Sequence, residues 1–237
     1  MDAINIKIQL DSLVCHKRQP GGEPYIWTIF FRADNACINI NDKFRLQGKP
    51  EFRFSQGGYG TLGRHAAGKR IAIPQELGTW ETRIEPFWIP YFEQPTVGVA
   101  GVVFIVLEHH NLSNDGAIAA HKALNRFVTQ AADRVIADFD PRRITLLEFT
   151  KTITAYFGEA FKKELAGIQD VIVEAVKNNQ TILQNIWTLV HKDELIGFDF
   201  KVITQYSFED NDVIEFGERF KTDKFDYEVQ GTAYKLH

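Results

Sequence analysis

The chain has 237 residues, of which 44% are hydrophobic and 24% are charged. This composition is typical of a globular protein and excludes a collagen-like or intrinsically disordered chain. Its 27 Lys and Arg residues are outnumbered by 31 Asp and Glu residues, giving a net charge of −4. We therefore expect no nucleic-acid partner, because proteins that bind the phosphate backbone displace counterions with an excess of basic side chains.

The N-terminal segment predicts no secretory signal, since it alternates polar and apolar residues from the start. The longest apolar run, at 97–107, is much shorter than the ~20 residues that span a bilayer. The sequence thus favours a cytoplasmic protein without a membrane partner, with signal-free secretion left open. Cys15 and Cys37 are the only cysteines, and we expect two thiols rather than a disulfide, because a chain of this length needs no covalent staple.

The first part of the chain predicts antiparallel strands. Residues 4–10 alternate isoleucine or leucine with polar side chains, a pattern typical of a strand with one solvent-exposed face. A turn with Pro-Gly-Gly at 20–22 follows, and the aromatic and β-branched residues at 25–31 predict the hairpin partner of that strand.

The pattern changes after this predicted hairpin. Residues 38–40 suggest a short strand, and 41–78 lose periodicity and collect glycines. Residues 80–84 alternate again. The run at 97–107 is apolar at successive positions, which predicts a strand covered on both faces.

The glycine-rich segment is the first candidate site. Residues 58–63 fit G-x-G-x-x-G and residues 63–69 fit G-x₄-G-K, patterns that point backbone N–H groups at phosphates. The flanking sequence does not predict the buried strand and following helix that these motifs require, since Pro74 interrupts any helix. The sequence instead predicts a solvated loop that attracts anions through its basic side chains, Arg64, His65, Lys69 and Arg70.

An aromatic segment between prolines, at 86–95, is the second candidate. Proline restricts it to extended or turn conformations. Burial at one end of the fold is one interpretation, and a contact surface for a partner is the other. Its four aromatic residues are Phe87, Trp88, Tyr91 and Phe92.

Two helices are predicted next. Apolar residues recur every three or four positions from 124 to 139, and Asp140-Pro141 ends this stripe. A capping box at 145–148 begins a second stripe that continues to 176. The short link between them predicts an antiparallel helical hairpin inserted at 113–179.

Three further strands are predicted at 197–206, 213–220 and 227–236. The order of strands, helix pair and strands lacks alternating βαβ units and therefore argues against a parallel doubly wound sheet. We predict one domain over residues 1–237, of α+β class and mainly β: an antiparallel β-sandwich with the inserted helical hairpin.

The turn Asp193-Glu194-Leu195-Ile196-Gly197, with the strand 198–202 after it, resembles the corresponding turn and strand of C2 domains. The resemblance covers about ten residues. C2 domains are β-sandwiches of eight strands, and many bind calcium and membranes. Calcium loops of that family place Asp-x-Asp before this turn, whereas this chain has Thr188-Leu189-Val190, so the resemblance implies the fold rather than a calcium site.

Glu108, His109 and His110 end the most apolar strand, and His121 follows in the next helix. Imidazole and carboxylate groups are zinc ligands, which makes this cluster a candidate metal site. Adjacent strand residues point to opposite faces, so His109 and His110 do not both reach one metal from a regular strand. The alternative is that these side chains form hydrogen bonds at the strand end. The acidic turn at 209–212 is interpreted as a hairpin turn rather than a calcium loop.

The leading functional hypothesis is a non-catalytic binding or interaction module that uses no cofactor and whose protein or small-molecule ligand is not specified by the sequence. A metal-dependent hydrolase using zinc at Glu108, His109, His110 and His121 is the first alternative. A membrane-acting, toxin-like or lipid-binding protein using the helical hairpin and the aromatic segment is the second.

Overall fold

The computed structural model describes residues 1–18, 23–41, 45–57, 62, 67–89, 93–109, 114–138, 163 and 195–237. Strands dominate, as the sequence predicts. The strands are β1 (Ile4–Lys17), β2 (Glu23–Ala33), β3 (Ile38–Ile40), β4 (Leu46–Gly48), β5 (Glu51–Phe54), β6 (Lys69–Ala72), β7 (Thr79–Ile84), β8 (Phe87–Ile89), β9 (Gln94–Thr96), β10 (Val99–His109), β11 (Leu195–Thr204), β12 (Val213–Lys221) and β13 (Asp226–Leu236). The helices are α1 (Gln75–Gly78) and α2 (Asn114–Asp138), with a 3₁₀ turn at Gln205–Phe208.

Two antiparallel sheets hold most of the strands. The first sheet has the order β12-β13-β1, and the other edge of β1 pairs with β6 and β7. The second sheet has the order β11-β10-β2-β5. Two separate hairpins, β3-β4 and β8-β9, complete the described strands. The mainly β, antiparallel fold class is therefore confirmed.

The predicted hairpin between the first two strands is wrong, because β1 and β2 belong to different sheets. Both edges of β1 are occupied, by β13 on one side and by β6 and β7 on the other. β2 is buried at almost every position and lies inside the second sheet between β10 and β5. Such a strand suits the interior of a covered sheet rather than a half-exposed hairpin.

The segment 41–78, which shows no periodicity in the sequence, contains three short strands and α1. These elements have three or four residues each, too few to produce a recognisable repeat. They are held mainly by pairing with longer strands: β5 adds to the edge of β2, and β6 adds to β1.

β10 organises the core because its two faces pack against different layers. The side chains of Ala100, Phe104 and Val106 join the apolar residues of β1 and β13 in one cluster. Val103 and Ile105 join the apolar face of α2 in another. All residues from 99 to 108 are buried, which confirms the prediction of a strand covered on both faces.

Helix α2 places its apolar stripe on the second sheet through Ala117, Ala120, Leu124 and Val128, all fully buried. Its described part runs to Asp138, and the Asp-Pro pair predicted to end it lies outside the described residues. The second helix of the predicted hairpin, apart from Lys163, lies outside the described residues. Within the part of the chain that the structure describes, no helix is both long and apolar enough to cross a membrane.

Candidate functional site

The outward face of the first sheet carries a cleft of about 520 Å³. On β13, Tyr227, Val229 and Ala233 point into the core, so Glu228, Gln230 and Thr232, which alternate with them, lie on the outward face. The cleft is lined by Asp11, Arg70, Glu215, Phe216, Gly217, Glu228, Gln230, Gly231 and Thr232, from β1, β6, β12 and β13. The site is therefore built on paired strands rather than on loops.

Hydrogen bonds fix the side chains on one wall of the cleft. Asp11 accepts bonds from Gln9 Nε2 at 2.8 Å and from Thr232 Oγ1 at 2.6 Å. Glu228 accepts a bond from Gln230 Nε2 at 2.7 Å. His16 Nε2 lies 3.0 Å from the other oxygen of Glu228. These bonds give the carboxylates defined positions before any ligand binds.

Two local irregularities make room for the cleft. The register of β1 against β13 shifts between Leu10 and Ser12, and this bulge lets Asp11 and Ser12 both bond to side chains of β13. Gly217 lies opposite Gln230 and contributes no side chain to the outward row. A Cβ at Gly217 would lie 2.8 Å from the Val229 carbonyl oxygen, so the close approach of the two strands requires glycine there.

The charges of the cleft are mainly negative, with three carboxylates and one guanidinium among the lining residues. The bonds from Gln230 and His16 lower the pKa of Glu228, because hydrogen bonding favours the ionised form. Carboxylates accept hydrogen bonds but cannot donate them. The cleft therefore presents fixed acceptors, and Arg70 supplies donors.

The predicted anion-attracting residues are only partly described. Arg64 and His65 lie outside the described residues. Lys69 and Arg70 are exposed residues of β6, opposite Cys15 and Val14 of β1. Arg70 lines the cleft, where its neighbours are carboxylates. The two described residues thus belong to a strand, and Arg70 belongs to a mainly acidic site.

The aromatic segment divides between the core and the surface. Phe87 is 2% exposed and packs with Val97 and Val99. Trp88 is 51% exposed on the opposite side of the same short strand. Tyr91 and Phe92 lie outside the described residues. Of the described aromatic pair, only Trp88 is available for contact with a partner.

Two of the predicted metal ligands, Glu108 and His121, lie on opposite sides of the second sheet. Glu108 is fully buried and lies on the side of β10 that faces the first sheet, where its charge acts on Cys15 and Tyr227. His121 lies on the other side of the second sheet, against Trp27. Within the described residues, no group of three or more His, Cys, Asp or Glu side chains is arranged to hold a metal. His110 lies outside them.

His121 instead joins a second polar cluster. Its Nε2 lies 3.4 Å from Ser55 Oγ, and its Nδ1 lies 3.3 Å from the side-chain nitrogen of Asn125. The ring makes an edge contact with Trp27, at 5.3 Å between centroids. His121 is 3% exposed, and this burial lowers its pKa to about 4 because the charged imidazolium is poorly solvated there.

No protein-family model, curated protein or solved structure matches this chain. The geometry of the cleft and of the cluster around His121 is therefore the guide to function. The sequence does not predict that the residues of either site lie together. Asn125 follows His121 at helical spacing, which is a local signal, whereas Ser55 is 66 positions away from His121.

The two cysteines are free thiols, as predicted. Cys15 is 1% exposed, and burial raises its pKa. Burial also raises the pKa of Cys37. Burial, reinforced by the charge of Glu108, raises the pKa of Tyr227 well above its ordinary range. These three groups therefore stay protonated at neutral pH.

Proposed function

We propose that the protein acts as a binding module through the cleft of the first sheet, which holds a small polar ligand and is itself non-catalytic. The observation that supports this function is the pre-formed wall of hydrogen-bonded carboxylates around about 520 Å³ of open volume. Small-molecule sites commonly have volumes of several hundred Å³, and a few placed polar groups in them fix the orientation of the ligand.

The chemistry of the lining determines the ligand class. Asp11, Glu215 and Glu228 accept hydrogen bonds only, so the ligand must supply donors, as ammonium and hydroxyl groups do. Arg70 would pair with one acceptor on the ligand. We therefore expect a small molecule that carries several amine or hydroxyl groups.

The hydrogen-bond network also favours affinity. Ordering a side chain on binding costs about 0.5–1.5 kcal/mol for each side chain that becomes fixed. The carboxylates of Asp11 and Glu228 already hold two partners each in the free protein. These two side chains therefore lose little further conformational freedom when the ligand binds.

This function rests on a scaffold that we propose to be a β-sandwich with a helical hairpin, related in shape to C2 domains. In support, a single apolar cluster contains side chains from β1 and β13 of the first sheet and from β2 and β10 of the second. Helix α2 covers the second sheet and would be the first helix of the hairpin. The outward face of the first sheet then remains for a ligand.

The test is a titration of the ¹⁵N-labelled protein with spermidine and, separately, with a set of hexoses. We expect saturable shifts of β12 and β13 amides with one of these two classes. Glu215→Gln should weaken that affinity about 10-fold or more, because a hydrogen bond to a charged group contributes about 1.5–3 kcal/mol. Glu218→Gln is the matched control, an exposed carboxylate of the same strand that does not line the cleft.

Two results would overturn the proposal. One is the absence of saturable shifts with both ligand classes at millimolar concentration. The other is an equal loss of affinity in the Glu215 and Glu218 variants, which would indicate general charge attraction rather than a site.

A further inference from the structure

Three polar side chains form a hydrogen-bonded row on the side of the second sheet that α2 covers. Ser55 directly follows β5, and His121 and Asn125 lie one turn apart on α2. Ser55 Oγ and Asn125 approach opposite nitrogens of the His121 ring, at 3.4 and 3.3 Å. A hydroxyl, an imidazole and an amide in this order can perform nucleophilic catalysis, because the third group orients the base and the base activates the hydroxyl.

The orientation of the Asn125 amide determines which ring nitrogen carries the proton. If the amide nitrogen faces His121, it donates to Nδ1, and Nε2–H must then donate to Ser55 Oγ. That oxygen already accepts the Thr28 N–H at 3.1 Å. In this arrangement Asn125 Oδ1 is buried with no partner among the described residues, and the Ser55 hydroxyl proton has no described acceptor either.

Turning the side-chain amide of Asn125 by 180° gives more of these polar groups a hydrogen-bond partner. Asn125 Oδ1 then accepts the Nδ1–H of His121, and Nε2 accepts the proton of the Ser55 hydroxyl. Only the amide nitrogen of Asn125 remains without a described partner. An amide fits the same space in both orientations, so the more complete hydrogen-bond network decides. His121 Nε2 is then a base directed at Ser55.

The surroundings hold this arrangement in place. Trp27 packs edge-on against the His121 ring, and Ser55 N–H bonds to the Thr28 carbonyl at 2.9 Å. A Cβ at Gly57 would lie 3.0 Å from His121 Nδ1, so a larger residue there would crowd the ring. Gly57 and the preceding Gln56 are exposed, which brings the segment after Ser55 to solvent.

We propose that Ser55, His121 and Asn125 form an acyl-transfer site that cleaves carboxylic esters, a catalytic activity separate from the polar cleft. Ser55 is the nucleophile, His121 is the general base and acid, and Asn125 is a positioning residue. The site and the cleft lie on different sheets, and neither requires the other.

The reaction balances with an ester and water. Ser55 Oγ forms a bond to the carbonyl carbon while its proton moves to His121 Nε2, and the carbonyl π electrons move to the oxygen. The C–O bond to the leaving alcohol then breaks, and His121 returns the proton to that alcohol. Water attacks the acyl-serine in the same way, which releases the carboxylic acid and restores the Ser55 hydroxyl.

The neighbouring side chains indicate an apolar acyl group. Phe52 and Phe54 of β5 stack on each other, with ring centroids 5.7 Å apart, and both are only partly buried. Phe54 directly precedes the nucleophile in the chain. Partly exposed aromatic rings on the strand that leads to the nucleophile favour a short aliphatic or aromatic acyl chain over a charged one.

The direct test is labelling of the full chain with a fluorophosphonate probe, followed by peptide mapping, together with hydrolysis of p-nitrophenyl butyrate. We expect the label on Ser55 and an at least 100-fold loss of hydrolysis in Ser55→Ala. Ser207→Ala is the matched control, since the Ser207 hydroxyl is also hydrogen-bonded but lies in the 3₁₀ turn after β11, outside both sites. It should keep the wild-type rate and labelling.

The positioning role of Asn125 requires a readout that a loss of packing would not give. We expect Asn125→Leu to lose at least 10-fold in hydrolysis and Asn125→Asp to recover most of it, with the two variants melting within a few degrees of each other. Peptide mapping of the wild type keeps the test decisive if a variant does not fold. An unlabelled wild type, or a label on a peptide without Ser55, overturns the proposal.

Discussion

Protonation of His121 should destabilise the fold in mildly acidic solution. The side chain is 3% exposed between α2 and the second sheet, and burial lowers its pKa from 6.5 to about 4. The unfolded chain therefore takes up this proton at a higher pH than the folded one. The stabilisation from a neutral His121 is fully present above pH 6.5 and is lost as the pH falls toward 4.

The size of the effect follows from the two pKa values. Each unit of difference corresponds to about 1.4 kcal/mol. The linkage relation predicts a loss of about 2 kcal/mol by pH 5 and about 3 kcal/mol by pH 4, relative to pH 7 or above. Such a loss is a large fraction of the ~5–15 kcal/mol that stabilises an ordinary domain.

Urea denaturation at pH 7, 6, 5 and 4 measures this loss. Other groups titrate in the same range, so the relevant quantity is the difference between the wild type and His121→Gln. We expect this difference to shrink by about 2 kcal/mol between pH 7 and 5. His16→Gln, at a partly exposed histidine, is the control. A difference that is independent of pH would refute the reasoning that burial keeps His121 neutral.

Three further predictions concern the scaffold, and urea denaturation measures each of them. Asp34→Ala should lower the free energy of unfolding by about 2–4 kcal/mol, since this fully buried carboxylate accepts two backbone N–H bonds at the end of β2. The exposed Asp223→Ala should change it little, and equal effects of the two variants would contradict the prediction. Leu124→Ala should cost about 2–5 kcal/mol by opening a cavity under α2, while the exposed Lys122→Ala should be nearly neutral. Gly101→Ala should cost about 1–3 kcal/mol of stability, because its Cβ would collide with a carbonyl oxygen of β11 and would lie 2.6 Å from the Phe31 ring of β2. An unchanged stability would indicate that β10 can shift.

Periodicity made the strands and α2 predictable. β1 alternates because one face meets the core, and β10 is apolar throughout because both of its faces do. The same rule explains why Glu108 and His121 do not meet. Glu108 follows the alternation of β10 toward the first sheet, whereas α2 packs on the opposite side, so neighbours in sequence are separated by the sheet.

The pairing of strands and the two candidate sites required long-range information. The turn before β2 suggested a local hairpin, but the partners of β1 include β13 from the end of the chain. The cleft depends on the bulge at Asp11 and on the position of Gly217 opposite Gln230, and neither register is encoded in a local pattern. Ser55 and His121 likewise meet only because β5 and α2 both pack on the second sheet.

The distribution of polar groups determines where function can lie on this scaffold. The central strands β2 and β10 are buried on both faces, so they offer no surface to a ligand. The outward side of β13 carries Glu228, Gln230 and Thr232, all engaged in hydrogen bonds that the fold itself does not need for strand pairing. Exposed polar pairs contribute little to folding stability. Hydrogen bonds between side chains that line an open cleft are therefore better explained by ligand recognition than by stability. The outward face of the first sheet is therefore the surface that we propose for binding, whichever way the Ser55 test turns out.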